Sequence, residues 1–427
     1  METFYGLMLS IGGANRLPQN RTVVGLDVGS TKVAAVVGEI TELGEVKIIG
    51  IGECPSNGLR KGIIVDIDGV ARSILEAVQI AEVMSGKKIE TTYVGVTGAH
   101  IYSANNKGVV SVGSRDGEIS IADMERAISA AKVINLPLDK EVLHVIPRQY
   151  VVDGCNGVLD PVGMIGSRLE VEVSIIIGAN ASIQNLGKAV SRAGLHVNGF
   201  VLNPLASSEA VLQSVERDLT SVVVDIGGGT TEISLFDEHG LWFTSILPIG
   251  AYHVTSDLAV GLKIPISQAE EIKIEHGCVL SSLMPEEQYI TVSNVDGYEQ
   301  KRLSKKILAS IIEPRMKEIL HMVRQEIKSS GFKGIIPAGV IFTGGGCSLD
   351  GLAELAAEQL DMPVRIGYPC NVGGMIDIVN YPRHATGVGL VVHGSRRMAY
   401  EEVAATDDDN NVKNYIDSVK RWFKDLF

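Results

Sequence analysis

Residues 221–234 read SVVVDIGGGTTEIS, and how this stretch is read decides the fold. A β-favouring run leads into Asp225. Gly227, Gly228 and Gly229 follow, then Thr230 and Thr231, then a second apolar run. A strand, a tight glycine turn and a returning strand make a hairpin whose backbone amides can face an anion. Glycine permits this because it allows close backbone approach and φ > 0 without strain. The threonine hydroxyls add donors, and the neighbouring aspartate can order a hydrated Mg²⁺. Taken alone, the hairpin reads more readily as plain turn chemistry.

A second hairpin of the same design, at residues 22–39 (TVVGLDVGSTKVAAVVGE), changes that balance. Here Asp27 ends an apolar strand, and Gly29, Ser30 and Thr31 form the turn. Lys32 stands just past it, where an ammonium can reach a β- or γ-phosphate. Residues 46–52 supply a third strand, and after the later hairpin residues 242–247 do the same. Further on, residues 338–343 form a strand that runs into Gly344, Gly345 and Gly346, then Cys347 and Ser348, then a helix over 351–360. A helix start after a glycine turn leaves amides free for an anion or a nucleotide edge. The helix predicted over 250–260 also begins on glycine, with amides toward the same cleft. Two halves with one plan imply two α/β lobes and a cleft between them, where doubly wound sheets bind ligands.

The intervening segments read as follows. Apolar spacing predicts helices over 66–84, 121–133, 183–193 and 205–216, and a long one over 303–329 interrupted at Pro314. Residues 101–178, punctuated by Pro137, Pro147 and Pro161, have the character of an inserted α+β module. Residues 267–276 (SQAEEIKIEH) read as a helix opened by a Ser267–Glu270 capping box. Glu270 and Lys273 share one face of it, the pattern of a surface ion pair. The last predicted helix covers 386–394.

Composition narrows the function classes. The 427 residues carry a net charge of −13, which argues against nucleic acid as the primary partner. Five scattered cysteines without a CxxC pair suggest neither a disulfide framework nor a metal site. No apolar run approaches the ~18 residues of a membrane span. Residues 1–20 read as an unstructured extension, not a signal peptide.

The two hairpin motifs, GLDVGSTK (25–32) and VVVDIGGGTTEI (222–233), resemble the two phosphate motifs of the actin, heat-shock chaperone and sugar-kinase ATPase superfamily. IFTGGGCSLDGL (341–352) is similar to its adenosine motif. HATGVGL (384–390) and residues 203–210 stand where its two interlobe connectors do. Within that superfamily the chain resembles the bacterial cell-division family FtsA, through LHVIPRQY (143–150), LASSEAVL (205–212), AEEIKIEHGCVL (269–280) and IIEPR (311–315). The likeness spans nearly the whole chain.

The resemblance implies an actin-like two-lobed α/β ATPase fold with duplicated mixed β-sheet lobes and an inserted 1C-type subdomain. Its divisions would be a first lobe at 21–100 and 179–205, the inserted subdomain at 101–178, a second lobe at 206–240 and 316–394, and a second inserted subdomain at 241–315. It implies ATP and Mg as cofactors. Asp27 and Asp225 would hold hydrated Mg²⁺. Gly29, Ser30, Thr31 and Lys32, with Gly227, Gly228, Gly229, Thr230 and Thr231, would hold the phosphates. Glu270 and Lys273 would meet the ribose and base, and Gly344, Gly345, Gly346 and Ser348 would line the adenine. Chaperone and MreB-like relatives carry a glutamate before the connector proline, and here that residue is Asn203. An amide can orient water but cannot take its proton, so ATP binding with weak or no hydrolysis is expected.

The tail has its own physics. Residues 395–411 include an acidic stretch that reads as a linker. Beyond it, Val412, Ile416, Val419, Trp422, Phe423, Leu426 and Phe427 fall on one helical face, with Lys420, Arg421 and Lys424 flanking it. This is the pattern of a helix lying in the interface of an anionic membrane, and the family resemblance implies the same. It further implies self-polymerisation, tethering of the tubulin-like FtsZ to the cytoplasmic face of the inner membrane at the division site, and recruitment of later division proteins through the inserted subdomain. The FtsZ tail is expected to dock at the basic residues Arg302, Lys305, Lys306 and Arg315. The alternative is a small-molecule kinase of the same superfamily. It needs a further catalytic carboxylate in the cleft, and none is evident from the sequence.

Overall fold

The computed structural model describes residues 21–284, 288–293 and 300–405. The expectations for residues 1–20 and for the helix at 412–427 lie outside the described residues.

The chain opens with β1 (Arg21–Val28), β2 (Lys32–Ile40) and β3 (Val46–Pro55), an antiparallel meander. Helix α1 (Ile67–Ser85) follows. It starts where the Asp66 carboxylate accepts from the Asp68 amide, and it stops at Gly86 in the left-handed conformation (φ 66°). Then comes β4 (Thr91–Val96), parallel to β1. The inserted module is β5 (Tyr102–Ser111), α2 (Ile121–Ala131), β6 (Lys140–Val152), β7 (Cys155–Val158) and β8 (Arg168–Ala179). Its four strands form a separate sheet, ordered β5-β8-β6-β7, with a core of its own. The chain returns to the first lobe through α3 (Asn180–Arg192) and β9 (His196–Leu202), then crosses on α4 (Asn203–Val211).

The second lobe repeats the plan with β10 (Ser221–Ile226), β11 (Thr231–Asp237) and β12 (Gly240–Leu247), again antiparallel. Next are α5 (Ala251–Leu262), α6 (Ile266–His276), the small hairpin β13 (Tyr289–Ser293) and β14 (Gln300–Ser304), and the long helix α7 (Lys305–Ser329). Strand β15 (Val340–Thr343), helix α8 (Leu352–Leu360) and strand β16 (Val364–Ile366) complete the lobe. Helix α9 (Ala385–Ala405) crosses back to the first. The sheet orders are β9-β4-β1-β2-β3 and β16-β15-β10-β11-β12, each with two parallel partners on one side of the hairpin and a meander on the other. In the first sheet a two-residue strand, Gly373–Gly374, extends the β3 edge.

Close packing of helices explains two glycines. A Cβ on Gly52 would lie 1.9 Å from the Ala77 carbonyl oxygen of α1, and one on Gly389 would lie 1.8 Å from that of Ala206. The second contact presses the two interlobe connectors, α4 and α9, together where the lobes meet.

Several elements differ from the sequence pattern for identifiable reasons. Pro314 does not interrupt α7. Its cost of about 3 kcal/mol is outweighed by a buried stripe including Leu308, Ile312, Met316 and Ile319, each contributing about 1.5–3 kcal/mol. That helix begins after Ser304, whose hydroxyl accepts from the Lys306 amide. The helix expected over 205–216 ends at Val211, and a short turn, Ser214–Arg217, follows. The Ser267–Glu270 capping box does not form. Pro265 starts α6 without a side-chain cap, and Glu270 turns to Lys273 and Thr255 instead. The final helix continues past Gly394 to Ala405, so the first part of the expected linker is helical. Among the described residues, no helix is long and apolar enough to cross a membrane.

Candidate functional site

The two hairpin turns are built alike. The Gly29 amide donates to the Lys32 carbonyl at 2.9 Å, and the Gly227 amide donates to the Thr230 carbonyl at 2.9 Å. They meet tip to tip across the lobes. A Cβ on Gly228 would lie 2.4 Å from Thr31 Oγ1, and one on Gly229 would lie 2.5 Å from Ser30 Oγ. Glycine is required because nothing larger fits. Between and beside the turns lies a cavity of about 340 Å³, within the range of small-molecule sites.

Every expected phosphate, ribose and adenine residue lines this cavity except Thr231. Thr231 is fully buried, and its hydroxyl donates to the Ile249 carbonyl at 2.8 Å. Strand alternation turns it away from the cleft. The amides of Ala251 and Tyr252 at the start of α5 are not free for a ligand either. They donate to the Gly227 and Gly228 carbonyls at 2.9 and 2.8 Å, bracing the second hairpin from behind. Similarly, the three glycines at 344–346 do not run straight into a helix. A 3₁₀ turn, Gly345–Ser348, comes first, and α8 starts at Leu352. Gly344 has φ +87°, and a Cβ there would lie 2.1 Å from Asp225 Oδ1, so the residue has both a conformational and a steric need to be glycine.

Charge is concentrated at the hairpins. Asp27 and Asp225 are both buried. Burial pushes the Asp225 carboxyl up to about 7, and the Asp27 charge adds to it, while hydrogen bonds from Thr386 and Ser207 pull the other way. Burial likewise raises Asp27, with Lys32 opposing. Lys32 is already engaged: its Nζ donates to Glu53 Oε1 at 2.8 Å and to the Arg383 carbonyl at 2.6 Å. Burial alone would raise Glu53, but His384 and Lys32 beside it hold its carboxyl well below the usual range.

Glu232 stands within the second hairpin motif without a role assigned from sequence. It is buried, lines the cavity, and pairs with Asp225 in the strand register. Burial raises its carboxyl first, and the Asp225 charge adds to that. Oε1 accepts from Thr97 and from Thr230 Oγ1, whereas Oε2 has no partner among the described residues. Asn203 Oδ1, also buried in the cavity lining, lacks one too. The phosphate end of the cleft therefore contains a third carboxylate beside Asp27 and Asp225. Two buried acceptors without a partner among the described residues, one on the connector and one on the second lobe, belong to residues that line the cavity. Register was the only sequence signal that could have found Glu232. Thr97, Tyr252 and Arg383 also line the cavity from outside the sequence motifs, and Thr386 lines it from within HATGVGL (384–390).

At the other end, Lys273 is only 7% exposed. Its Nζ donates to Glu270 at 2.7 Å, to Thr255 Oγ1 at 2.9 Å and to the Ala251 carbonyl at 3.3 Å. Burial lowers its ammonium, and Glu270 opposes that. The pair is thus a cleft wall and not a solvated surface bridge.

The four basic residues expected to dock a partner do not form one cluster. Arg302 stacks over the Tyr289 ring at 4.6 Å, near the start of α7, where Lys305 and Lys306 stand. Arg315 sits ten residues further on from Lys305, about 15 Å along the helix. Its guanidinium grips Asp257 at 2.6 and 3.0 Å and also pairs with Glu318.

Comparison with known proteins agrees with this architecture. The family model described as "Cell division protein FtsA" matches residues 222–389, and that described as "SHS2 domain inserted in FTSA" matches residues 98–177. The chain is 40% identical to the cell division protein FtsA of Pseudomonas aeruginosa, over 95% of this chain and 98% of that one. Among solved structures it is similar to the "PilM-PilN type IV pilus biogenesis complex" (TM-score 0.64, 17% identity, 87% of this chain and 98% of the other). It is also similar to MreB5 of Spiroplasma citri bound to ADP (TM-score 0.54, 12% identity, 89% and 98%). At those identities the likeness is one of fold: the actin-like, two-lobed α/β fold with an inserted subdomain.

Proposed function

This chain belongs to the FtsA cell-division family, and from that premise we propose that it binds ATP with Mg²⁺ between its lobes, polymerises, and tethers FtsZ to the membrane. The observation that carries the reading is the cavity itself, where two glycine hairpins on separate lobes meet over two buried aspartates. The residues fit the ligand. A tip-to-tip pair of turns leaves room only for backbone, which suits phosphate oxygens. The mutual repulsion of Asp27 and Asp225 is what a divalent cation relieves.

In this reading Asp27 and Asp225 hold Mg²⁺ through its water, and the cation neutralises phosphate charge. The amides of Gly228, Gly229 and Thr230, with Gly29, Ser30, Thr31 and Gly227, surround the phosphates. Lys32 adds its charge at the rim while bound to Glu53. Glu270 and Lys273 meet the ribose and base, and Gly344, Gly345, Gly346 and Ser348 bound the adenine. Asn203 orients water without taking a proton, so single-turnover hydrolysis stays below ~1 s⁻¹.

The assembly roles rest on the family and on the tail. Residues 412–427 lay an apolar face with basic flanks onto the anionic cytoplasmic face of the inner membrane at the division site. Arg302, Lys305 and Lys306 receive the FtsZ tail, with Arg315 held back by Asp257. The inserted subdomain serves self-association and later division proteins. The test is liposome co-sedimentation with FtsZ. The full chain carries FtsZ into the pellet of anionic vesicles and Trp422→Glu does not; equal pelleting by both would remove the tethering role. A small-molecule kinase is not favoured, because 40% identity extends over 95% of the chain to a cell-division protein.

A further inference from the structure

The inserted module belongs by connection to the first lobe, yet its free edge lies against the second. Strand β5 is one edge of the module sheet, and β12 is the edge of the second lobe's sheet. The Thr244 amide donates to Ser103 Oγ at 3.2 Å, and Ser103 Oγ donates to the Thr244 carbonyl at 3.4 Å. Asn105 Nδ2 donates to the Trp242 carbonyl at 3.4 Å. Beside these bonds Arg148 of β6 forms an ion pair with Asp237, at the end of β11. Arg148 is 6% exposed and Asp237 8%. The guanidinium also lies 4.5 Å over the Trp242 ring, whose Nε1 donates to the Ser330 carbonyl at 3.0 Å. On the hinge side, His144 Nε2 accepts from the Leu202 amide at 3.1 Å, just before connector α4.

We propose that the inserted module is a clasp across the two lobes, so that ligand held in the interlobe cavity and the posture of the module are coupled. Strand β11 is the physical link. It carries Glu232 in the cavity at one end and Asp237 in the clasp at the other, about 17 Å away along a continuous strand. The clasp is closed in the same conformation in which the hairpins touch, Gly228 against Thr31 and Gly229 against Ser30. A ligand that binds both hairpins favours that conformation and holds the clasp. By linkage, an intact clasp strengthens ligand binding by the same factor. A buried ion pair suits such a device, because parting it leaves two desolvated charges uncompensated. Partners that take hold of the module therefore read, and alter, the state of the cavity.

The ligand half of this inference rests on the nucleotide reading above. The experiment uses the full chain with Mg·ATP and measures two quantities: equilibrium affinity, and hydrogen exchange of amides 102–111 and 240–247. In the unaltered chain, nucleotide slows exchange at both edges. Asp237→Asn weakens nucleotide binding by about tenfold and abolishes that slowing. Ser103→Ala, which leaves the buried charges in place, does the same to a lesser degree and serves if Asp237→Asn misfolds. If the unaltered chain binds nucleotide but both variants match its affinity and exchange, the clasp is overturned. If the unaltered chain binds no nucleotide, the nucleotide reading fails and takes the coupling with it.

Discussion

Gly228→Ala is the sharpest perturbation of the cavity. The added Cβ would lie 2.4 Å from both Cγ2 and Oγ1 of Thr31, and 3.0 Å from its Cβ. Unstrained contacts between such atoms lie near 3.5–4.0 Å, so the hairpins must separate by about 1 Å. Overpacking of this kind costs about 1–3 kcal/mol. Gly228 and Thr31 sit on different lobes, so the cheapest relief is to part the lobes and leave both cores intact. The melting midpoint should therefore change little. Nucleotide affinity should fall by about 5- to 150-fold, taking tenfold per 1.4 kcal/mol. Titration with a fluorescent ATP analogue measures it. Adding Thr31→Ala removes both 2.4 Å contacts and leaves only the one at 3.0 Å, so the double variant should recover part of the loss. Binding by Gly228→Ala within twofold of the unaltered chain would refute the reasoning, since the hairpins would then not be in contact in the binding conformation.

Two further predictions concern stability. Without Mg²⁺, Asp225→Asn should raise the thermal midpoint at about pH 8 and leave it unchanged at about pH 4. A carboxyl held above its ordinary value costs the folded state nothing while it is protonated in both states. The cost grows from the ordinary carboxylate value near 4 to the Asp225 value of about 7, and is level beyond it. A midpoint difference independent of pH would contradict the assignment. Gly389→Ala places a Cβ 1.8 Å from the Ala206 carbonyl oxygen, where backbone meets backbone and neither helix can yield locally. It should cost about 3 kcal/mol in urea unfolding, and an unchanged midpoint would mean that the connectors are not packed this closely.

The parts of this molecule that were legible in the sequence are those encoded locally. Asp27 through Lys32 and Asp225 through Thr230 announce themselves because a glycine turn between two apolar strands is fixed by adjacent residues. The repetition of that unit predicts two lobes, and the structure has them. What was not legible depends on placement. Glu232 reaches the cavity only through its register with Asp225, and Thr386 only because α9 crosses between lobes. Thr231 looked equivalent to Thr230, and strand alternation sent it to the other face. Pro314 predicted an interruption and Glu401 and Glu402 a linker by local propensity, and continuous helices run through both places. Arg148 stood within a motif of the resemblance, but its partner Asp237 lies 89 residues away in another lobe, a pairing that no local pattern carries.

In the proposed function the cavity between the hairpins is an ATP site completed by Mg²⁺. Isothermal titration of the full chain with ATP, with and without Mg²⁺, is the decisive measurement. One ATP per chain, bound more tightly with Mg²⁺ and no longer so in Asp225→Asn, is the predicted result. Absence of binding, or binding indifferent both to Mg²⁺ and to Asp225, would contradict it.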